Sequence, residues 1–435
     1  MSDFRQQRRR PADRYAVQLD LAQGRGVLLR AAGPIALAVA VQSAGNLAFH
    51  ALVGRLLDPA AYGALGAVLA AMVMLGIPLG ALQTAASAHA AAHGAGRATT
   101  LRCLRAVALW TLPAGLVTLA GAPLLKSYFH LAGLGEAVPL APYLVVAALL
   151  ATARGLLLGD QKVSTVAGSY LAATVVRLGL GVALTVPFGV AGALVATLMG
   201  EVAALATAAR RLTGRPDPGP GARLRPRAVG GAAVAVTGLF LFSTADLLLA
   251  RHHLAGTASG AYVAAATVAK TVLALPAAVM SAVFPRLTAA RDRPGRARTL
   301  RTAVAAVSGP ALLGAVVVAA VPGLVLTLLY GDEYAGATTL VRTLALVAGV
   351  TSVVTVLTNA ALARHSRATW LPWAGAALEV GLIQLWHGSP LVIAACSAAA
   401  LLPTLIVVAA TEIRAWTRRV PAPLDGSHLA EGVPA

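Results

Sequence analysis

Long apolar blocks, each nearly free of charge, alternate with short polar segments along most of the chain. Blocks of roughly 18 or more such residues are typical of helices that cross a membrane, because a helix of this length spans the hydrocarbon core. Backbone polar groups find no water in lipid, so each block must satisfy its hydrogen bonds internally, as a helix does. The pattern predicts twelve spans, near residues 31–53, 62–90, 104–123, 139–159, 164–186, 188–209, 228–250, 259–284, 302–328, 337–362, 369–386 and 389–411.

Composition supports an all-α integral membrane protein. Of the 435 residues, 58% are hydrophobic and only 12% are charged, and the mean hydropathy is +0.77. A soluble domain carries about 25% charged residues, which it needs to cover a surface facing water. A large soluble domain is therefore excluded, and we expect membrane lipids to be partners of most of the chain.

The net charge of +19 does not indicate nucleic-acid binding, because the basic residues form short clusters between apolar blocks. Most of them fall in the two tails and the even-numbered loops, whereas the odd-numbered loops hold only Arg55, Lys126 and Arg251. Lysine and arginine accumulate on the cytoplasmic side of a membrane. The distribution predicts a multi-pass protein of the inner (cytoplasmic) membrane with both termini in the cytoplasm.

The chain divides into two halves around a segment rich in Pro, Gly and Arg. We predict a basic cytoplasmic tail at 1–30, a six-helix bundle at 31–209, a cytoplasmic linker at 210–227, a second six-helix bundle at 228–411 and a cytoplasmic tail at 412–435. Six spans per half place both halves in the same orientation, which is a parallel repeat with a cavity expected between the halves.

Similar landmarks recur in both halves. Each has an arginine, then a Tyr and Gly pair or near-pair, then a helix interrupted by proline, then a basic loop. Those prolines are Pro78 and Pro276. Because proline removes a helix hydrogen bond, we expect a bend at each, serving either alternating access or a static fit to neighbouring helices.

Four segments carry a family resemblance. They are GRLLDPAAYGALGAVLAA at 54–71, TADLLLARHHLAGTASGAYVAAATVAK at 244–270, LPAAVMSAVFPRL at 275–287 and YGDEYAGATTLVRTLALVAG at 330–349. In order and position they resemble the polysaccharide-exporter (Wzx-type) branch of the multidrug/oligosaccharidyl-lipid/polysaccharide (MOP) flippase superfamily. The resemblance implies a MATE-like fold of two six-helix bundles facing each other, and export of lipid-linked sugars. Many members have fourteen spans, whereas this sequence predicts twelve.

Ionisable groups inside the spans are the candidate site residues, because each costs roughly 2.5–3.5 kcal/mol at mid-membrane unless it meets a partner or a wet cavity. Two are cations suited to a pyrophosphate group, and two nearby amides suit sugar hydroxyls. Three carboxylates are candidates for binding a coupling proton or sodium ion. The cations are Lys270 and Arg177, the amides are Gln42 and Asn46, and the carboxylates are Asp246, Glu201 and Glu379.

A structural alternative stays open for these charges, since Lys270 could neutralise Asp246 and Arg177 could neutralise Glu201. We expect His50 to lie at the membrane interface, and Arg154 and Arg342 to extend from span ends towards water. Asp332 and Glu333 offer too few ligands for a metal site.

The leading functional hypothesis is a transporter that flips a polyprenyl pyrophosphate-linked saccharide to the outer leaflet. A cation-coupled multidrug exporter and a non-transporting scaffold among glycan-assembly proteins are the alternatives. The sequence shows no convergence of nucleophile, base and acid, so an enzyme is disfavoured. We expect no cofactor beyond a coupling ion, either H⁺ or Na⁺.

Overall fold

The computed structural model describes residues 37–212, 230–273 and 296–417, together with residue 34 and short pieces between 279 and 290. Every regular element in these residues is a helix, which confirms the all-α class. Eight helices in the described ranges are long and apolar enough to cross a membrane, as expected of a multi-pass membrane protein. The number of twelve spans and their division into two bundles stay predictions. The first tail and nearly all of the predicted linker lie outside the described residues.

We number the helices along the chain. The first half contains α1 (Leu37–Leu56), α2 (Pro59–His93), α3 (Arg97–Ala120), α4 (Ala122–Tyr128), α5 (Leu140–Gly159) and α6 (Val163–Ala209). The second half contains α7 (Gly230–His253), α8 (Gly256–Lys270), α9 (Arg296–Ala320), α10 (Pro322–Tyr330), α11 (Thr338–Ala363), α12 (Leu371–Leu385) and α13 (Pro390–Thr417). Short 3-10 turns lie at Leu134–Glu136, Thr271–Leu273, Asp332–Ala337 and Arg367–Trp370.

Helix α6 is a hairpin of two antiparallel arms, 163–188 and 190–209. Gly189 has a φ of 55° and a ψ of −134°, a left-handed conformation that glycine adopts without strain. The arms then run side by side, and the Lys162 ammonium donates a hydrogen bond to the Arg211 carbonyl across 3.0 Å. The loop predicted between the fifth and sixth spans is therefore a single residue.

Three predicted boundaries differ from the structure. The ninth span, predicted as 302–328, is two helices that meet at Val321, because Pro322 disfavours helical geometry in the residue before it. Helix α8 ends at Lys270, and the 3-10 turn Thr271–Leu273 follows it, so Lys270 is the last α-helical residue before that turn. The last helix continues to Thr417, past the predicted boundary at 411.

The two ends of the molecule differ in character. We call the end that carries Lys162, Arg211, Arg364 and Arg414 the basic end. We call the opposite end, where Tyr62, Tyr330 and Tyr334 meet, the aromatic end. One hydrophobic core cluster combines residues of both halves around these tyrosines. The clusters nearer the basic end each belong to a single half. The described halves therefore share a core at the aromatic end.

Glycines permit the closest approach between the halves, where α2 crosses α8. A Cβ atom on Gly260 would overlap the carbonyl oxygen of Pro59, and one on Gly66 would overlap the Val263 side chain. Small residues let helix backbones approach closely in membranes, where packing drives association. The crossing thus joins the two landmark segments that the sequence shows in corresponding positions of each half.

Substitution of Gly260 by alanine is expected to loosen this crossing, because the new methyl group would overlap backbone that cannot rotate away. Overpacking typically costs about 1–3 kcal/mol. We expect a lower thermal unfolding temperature in detergent. Gly179→Ala is the matched control, since no atom lies within 4 Å of the added Cβ. Equal stability of the two variants would contradict the close crossing.

Candidate functional site

A buried ionic cluster lies in the second half, between α7, α8 and α12. The Lys270 ammonium lies 2.8 Å from Oδ1 of Asp246 and 3.1 Å from Oδ2. The Tyr262 hydroxyl donates a hydrogen bond to Oδ2 across 3.0 Å. The side chain of Asp246 is 6% exposed and that of Lys270 is 26% exposed. The structure thus brings together the Asp246 and Lys270 pair, and the lysine keeps access to the space beside it.

Glu379 on α12 belongs to the same cluster. It is 2% exposed and interacts electrostatically with Asp246 and Lys270, with a hydrogen bond to Ser397. Its Oε2 atom has no hydrogen-bond partner among the described residues. Two carboxylates and one ammonium in this volume leave one acceptor free, which is an arrangement able to hold a proton or a small cation.

Arg177 forms a second polar cluster, in the first half. Its Nη1 donates a hydrogen bond to Oδ1 of Asn46 across 2.9 Å, and its guanidinium carbon lies 4.0 Å from the centre of the Phe49 ring. Glu201 is within electrostatic range, but no ion pair joins it to Arg177 in the part of the chain that the structure describes. The arginine is therefore held by an amide and a ring, and its charge is not directly neutralised.

The structure places the other candidates as follows. Gln42 lies one turn before Asn46 on α1 and is half-buried. Helix α2 continues through Pro78, whereas Pro276 lies outside the described residues. The bends at these prolines stay predictions.

Two positions expected at the membrane interface are buried instead. The Arg154 side chain does not extend to water; its Nε donates to the Ser169 hydroxyl at 2.9 Å and its guanidinium covers the Tyr170 ring. These partners lie on the first arm of α6, which packs against α5 and covers the Arg154 side chain. Likewise, His50 is buried and its Nδ1 lies 2.9 Å from the Tyr62 hydroxyl.

Arginine side chains join the halves at the aromatic end. Arg251, the third-last residue of α7, donates to the carbonyl oxygens of Phe129 and His130, both across 2.8 Å. The same side chain reaches the Ala60 carbonyl at 3.1 Å. In the opposite direction, Arg55 at the end of α1 donates hydrogen bonds to the carbonyls of residues 328 and 329 in α10. Each half thus contributes an arginine that binds backbone of the other half.

Stacked imidazoles extend this junction. The His252 ring lies 4.0 Å from the Tyr128 ring and 5.9 Å from the His130 ring, measured between centroids. On the other side, His253 stacks on His387 at 4.1 Å. The geometry is that of stacked rings, and the described residues form no group suited to a metal ion. We call the four histidines the histidine stack.

Acidification is expected to weaken the aromatic end through the histidine stack. His253 lies beyond the predicted seventh span; burial, followed by the charges of His387 and His252, lowers its pKa below the ordinary value of 6.5. A histidine whose pKa is lowered where the two halves pack together favours that packing above pH 6.5, and this contribution is lost as pH falls. Other polar or charged groups around the stack are Tyr128, Arg251, Glu136 and Gln384.

The measurement is the distance between spin labels at Leu124 and Leu385, which are exposed residues of the two halves near this end. We expect the distance to lengthen between pH 7.5 and pH 5. The variant His253→Gln should reduce the response, whereas His365→Gln, on the basic end, should not. A pH response that persists in full after His253→Gln would contradict the stack as its origin.

Sequence reasoning did not select Arg55 and Arg251 as site residues, although a signal was present. Both are exceptions to the charge asymmetry, standing in odd-numbered loops that otherwise hold only Lys126. Both also occupy corresponding places in the two halves. An arginine on the unfavoured side of a membrane, repeated in each half, indicates a specific partner.

The chain resembles known proteins in shape and not in sequence. No protein-family model and no curated protein matches it, whereas solved structures do match. An inward-facing multidrug-resistance MATE family transporter of the MOP superfamily matches with a TM-score of 0.66 and 16% identity, covering 86% of this chain and 95% of that one.

Other solved structures match as well. The lipid II flippase MurJ, in an inward closed conformation, has a TM-score of 0.66 and 11% identity over 87% of this chain and 88% of that one. A MATE family transporter of the MOP superfamily in an outward-facing conformation has a lower TM-score of 0.58, with 17% identity over 90% of this chain and 96% of that one. Identities this low establish architecture alone, so the chain has the fold that these transporters share.

Proposed function

We propose that the protein is a membrane transporter that flips a polyprenyl pyrophosphate-linked saccharide from the cytoplasmic to the outer leaflet by alternating access between two six-helix bundles. The observation that carries this proposal is Arg177, a partly exposed cation that no described carboxylate pairs with, next to the amide of Asn46. A guanidinium binds phosphate oxygens through charge-assisted hydrogen bonds, and an amide serves sugar hydroxyls as donor and acceptor.

The second-half cluster has a different role in this proposal. Asp246, Glu379 and Lys270 carry more acidic than basic groups, so we assign them the coupling ion, H⁺ or Na⁺. Binding of a cation there would weaken the Lys270 ion pair, because the two cations compete for the same carboxylates. The sign of the charge in each cluster therefore assigns substrate and ion to different halves. The pyrophosphate binds on the Arg177 side, and the coupling ion binds in the second half.

The basic end faces the cytoplasm in this proposal, because arginine-rich loops stay on that side. The shared core and the inter-half arginines then close the outer side. The protein would wait for substrate from the cytoplasmic leaflet of the inner membrane, where glycan-assembly proteins deliver it.

A cation-coupled multidrug exporter is the second candidate, favoured by the free Oε2 of Glu379 and by the MATE relatives. Drugs of that class are cations and need acidic groups, which the Asp246 cluster offers. The unpaired Arg177 is the feature that this candidate does not explain.

Reconstituted vesicles provide the test. A lipid pyrophosphate carrying a fluorescent oligosaccharide is placed in both leaflets, and a membrane-impermeant reductant quenches the outer population. We expect the protected half to become accessible with wild-type protein and not with Arg177→Gln, which keeps a hydrogen-bonding side chain. Movement of a fluorescent cationic drug, with no movement of the glycolipid, would overturn the proposal in favour of the exporter. Unchanged glycolipid movement in Arg177→Gln would contradict the role that the proposal gives to Arg177.

A further inference from the structure

A basic pocket lies at the basic end of the second half, away from both polar clusters. It forms where α11 ends, the 3-10 turn Arg367–Trp370 leads into α12, and α13 ends. Its volume is about 520 Å³, and its lining includes Arg364, Arg367 and Arg414. A pocket of this size is in the range that holds small organic ligands.

Arg364 is fixed in place by a buried acid. Its Nε and Nη2 bind the two carboxylate oxygens of Glu412 at 3.2 and 2.7 Å. Glu412 is fully buried and also accepts a hydrogen bond from the Trp416 indole. This bidentate pair leaves Nη1 of Arg364 with no partner among the described residues. A buried carboxylate thus orients a guanidinium at the pocket wall.

The other two arginines carry uncompensated charge. In the part of the chain that the structure describes, Arg367 and Arg414 make no ion pair and no side-chain hydrogen bond, and both are exposed. The pocket therefore has a surplus of positive charge after Arg364 and Glu412 cancel. Guanidinium groups present donors in a planar fork that matches the oxygens of a phosphate group.

The surroundings of the pocket favour a lipid over a soluble anion. Trp370 beside it is 58% exposed and Ile413 is 52% exposed, and Leu371 forms part of the lining. Exposed tryptophan at a helix end is typical of the membrane interface, where headgroups lie. Basic pockets between membrane helices on the cytoplasmic side bind the headgroups of anionic lipids.

We propose that the pocket lined by Arg364, Arg367 and Arg414, next to Leu371 and Trp370, binds the phosphate headgroup of an anionic membrane phospholipid. The acyl chains extend along the apolar surfaces of α12 and α13. The lipid is a bound component of the basic end and lies away from both polar clusters. The inference does not rest on the proposed function, because it concerns binding alone.

Titration of the purified full-length protein with phosphatidylglycerol, followed by native mass spectrometry, tests the proposal. Each arginine that lines the pocket should contribute about fivefold to the affinity for the headgroup beside it, so Arg367→Gln with Arg414→Gln should weaken binding about 25-fold. The matched control is Arg102→Gln with Arg105→Gln, which removes two exposed arginines at the basic end of the first half. We expect that control to bind as the wild type does.

Three further measurements distinguish a lipid pocket from a basic surface and from a site for soluble anions. Ala368→Trp fills the pocket without changing charge and should also abolish tight binding. Phosphatidylcholine should bind weakly. Equal losses in the two arginine pairs would show attraction to the whole basic surface and would overturn the pocket. Glycerol phosphate competing as strongly as phosphatidylglycerol would overturn the assignment to a lipid.

Discussion

Replacement of Arg251 by methionine is expected to open the aromatic end. The arginine donates to two carbonyls in the segment after α4 and to one in α2, so its loss removes three hydrogen bonds between the halves. A hydrogen bond from a charged group contributes about 1.5–3 kcal/mol. Loss of the two shortest, about 3–6 kcal/mol in total, would shift the equilibrium between closed and open arrangements by about 100- to 25,000-fold. Spin labels at Leu124 and Leu385 should report a longer distance at neutral pH.

The control for this prediction is Arg342→Met. That arginine also donates to a backbone carbonyl, of Ala319, but both residues belong to the second half. It should leave the distance unchanged. A further gain in distance is expected when Arg55 is replaced together with Arg251, since both arginines hold the same junction. If Arg251→Met keeps the wild-type distance while the protein remains folded, the arginine junction does not hold the halves together.

Replacement of Lys270 by methionine is expected to destabilise the protein and to abolish transport. The change leaves Asp246 charged, 6% exposed and without its counter-ion. Loss of one partner of a buried ion pair costs about 3–5 kcal/mol. The double variant Lys270→Met with Asp246→Asn removes both charges and keeps an acceptor for Tyr262, so its thermal stability should return close to that of the wild type.

Transport separates the two interpretations of this pair. We expect the double variant to be stable and inactive, because the coupling-ion site that we propose has lost a carboxylate and the neighbouring ammonium. A double variant that is both stable and active would show that the pair is purely structural. Lys126→Met is the control for loss of a lysine charge, since Lys126 belongs to no ion pair among the described residues, and it should be stable and active.

Hydropathy predicted the helical class and the positions of many helices, whereas the orientation inferred from loop charge stays a prediction. Positions of the helices follow from apolar block length, and the hairpin at Gly189 lies where the sequence predicts a boundary. Breaks inside helices are harder to predict from the sequence. The interruption before Pro322 has a local cause, yet similar prolines such as Pro78 sit inside a continuous helix. Proline alone does not determine whether a neighbouring helix compensates for its missing hydrogen bond.

One of the two predicted charge pairs of the candidate site is present and the other is not. The cost of burial selects Asp246, Lys270 and Glu379 from composition alone, and the predicted pair of Asp246 and Lys270 is present. The partner of Arg177 was not predictable, because an amide on α1 and a carboxylate on α6 are both within reach of a long side chain. The rotation of each helix about its axis decides whether the amide or the carboxylate faces Arg177.

The hairpin of α6 has a consequence for biosynthesis. Each arm is long enough to span a bilayer, at 1.5 Å rise per residue, and Gly189 alone connects them. During insertion no hydrophilic segment has to be carried through the apolar core, because the turn is Gly189 alone and the two residues before it, Pro187 and Phe188, carry no charge. The two arms can therefore enter the bilayer together as one unit, with the cations Lys162 and Arg211 left behind at their paired ends.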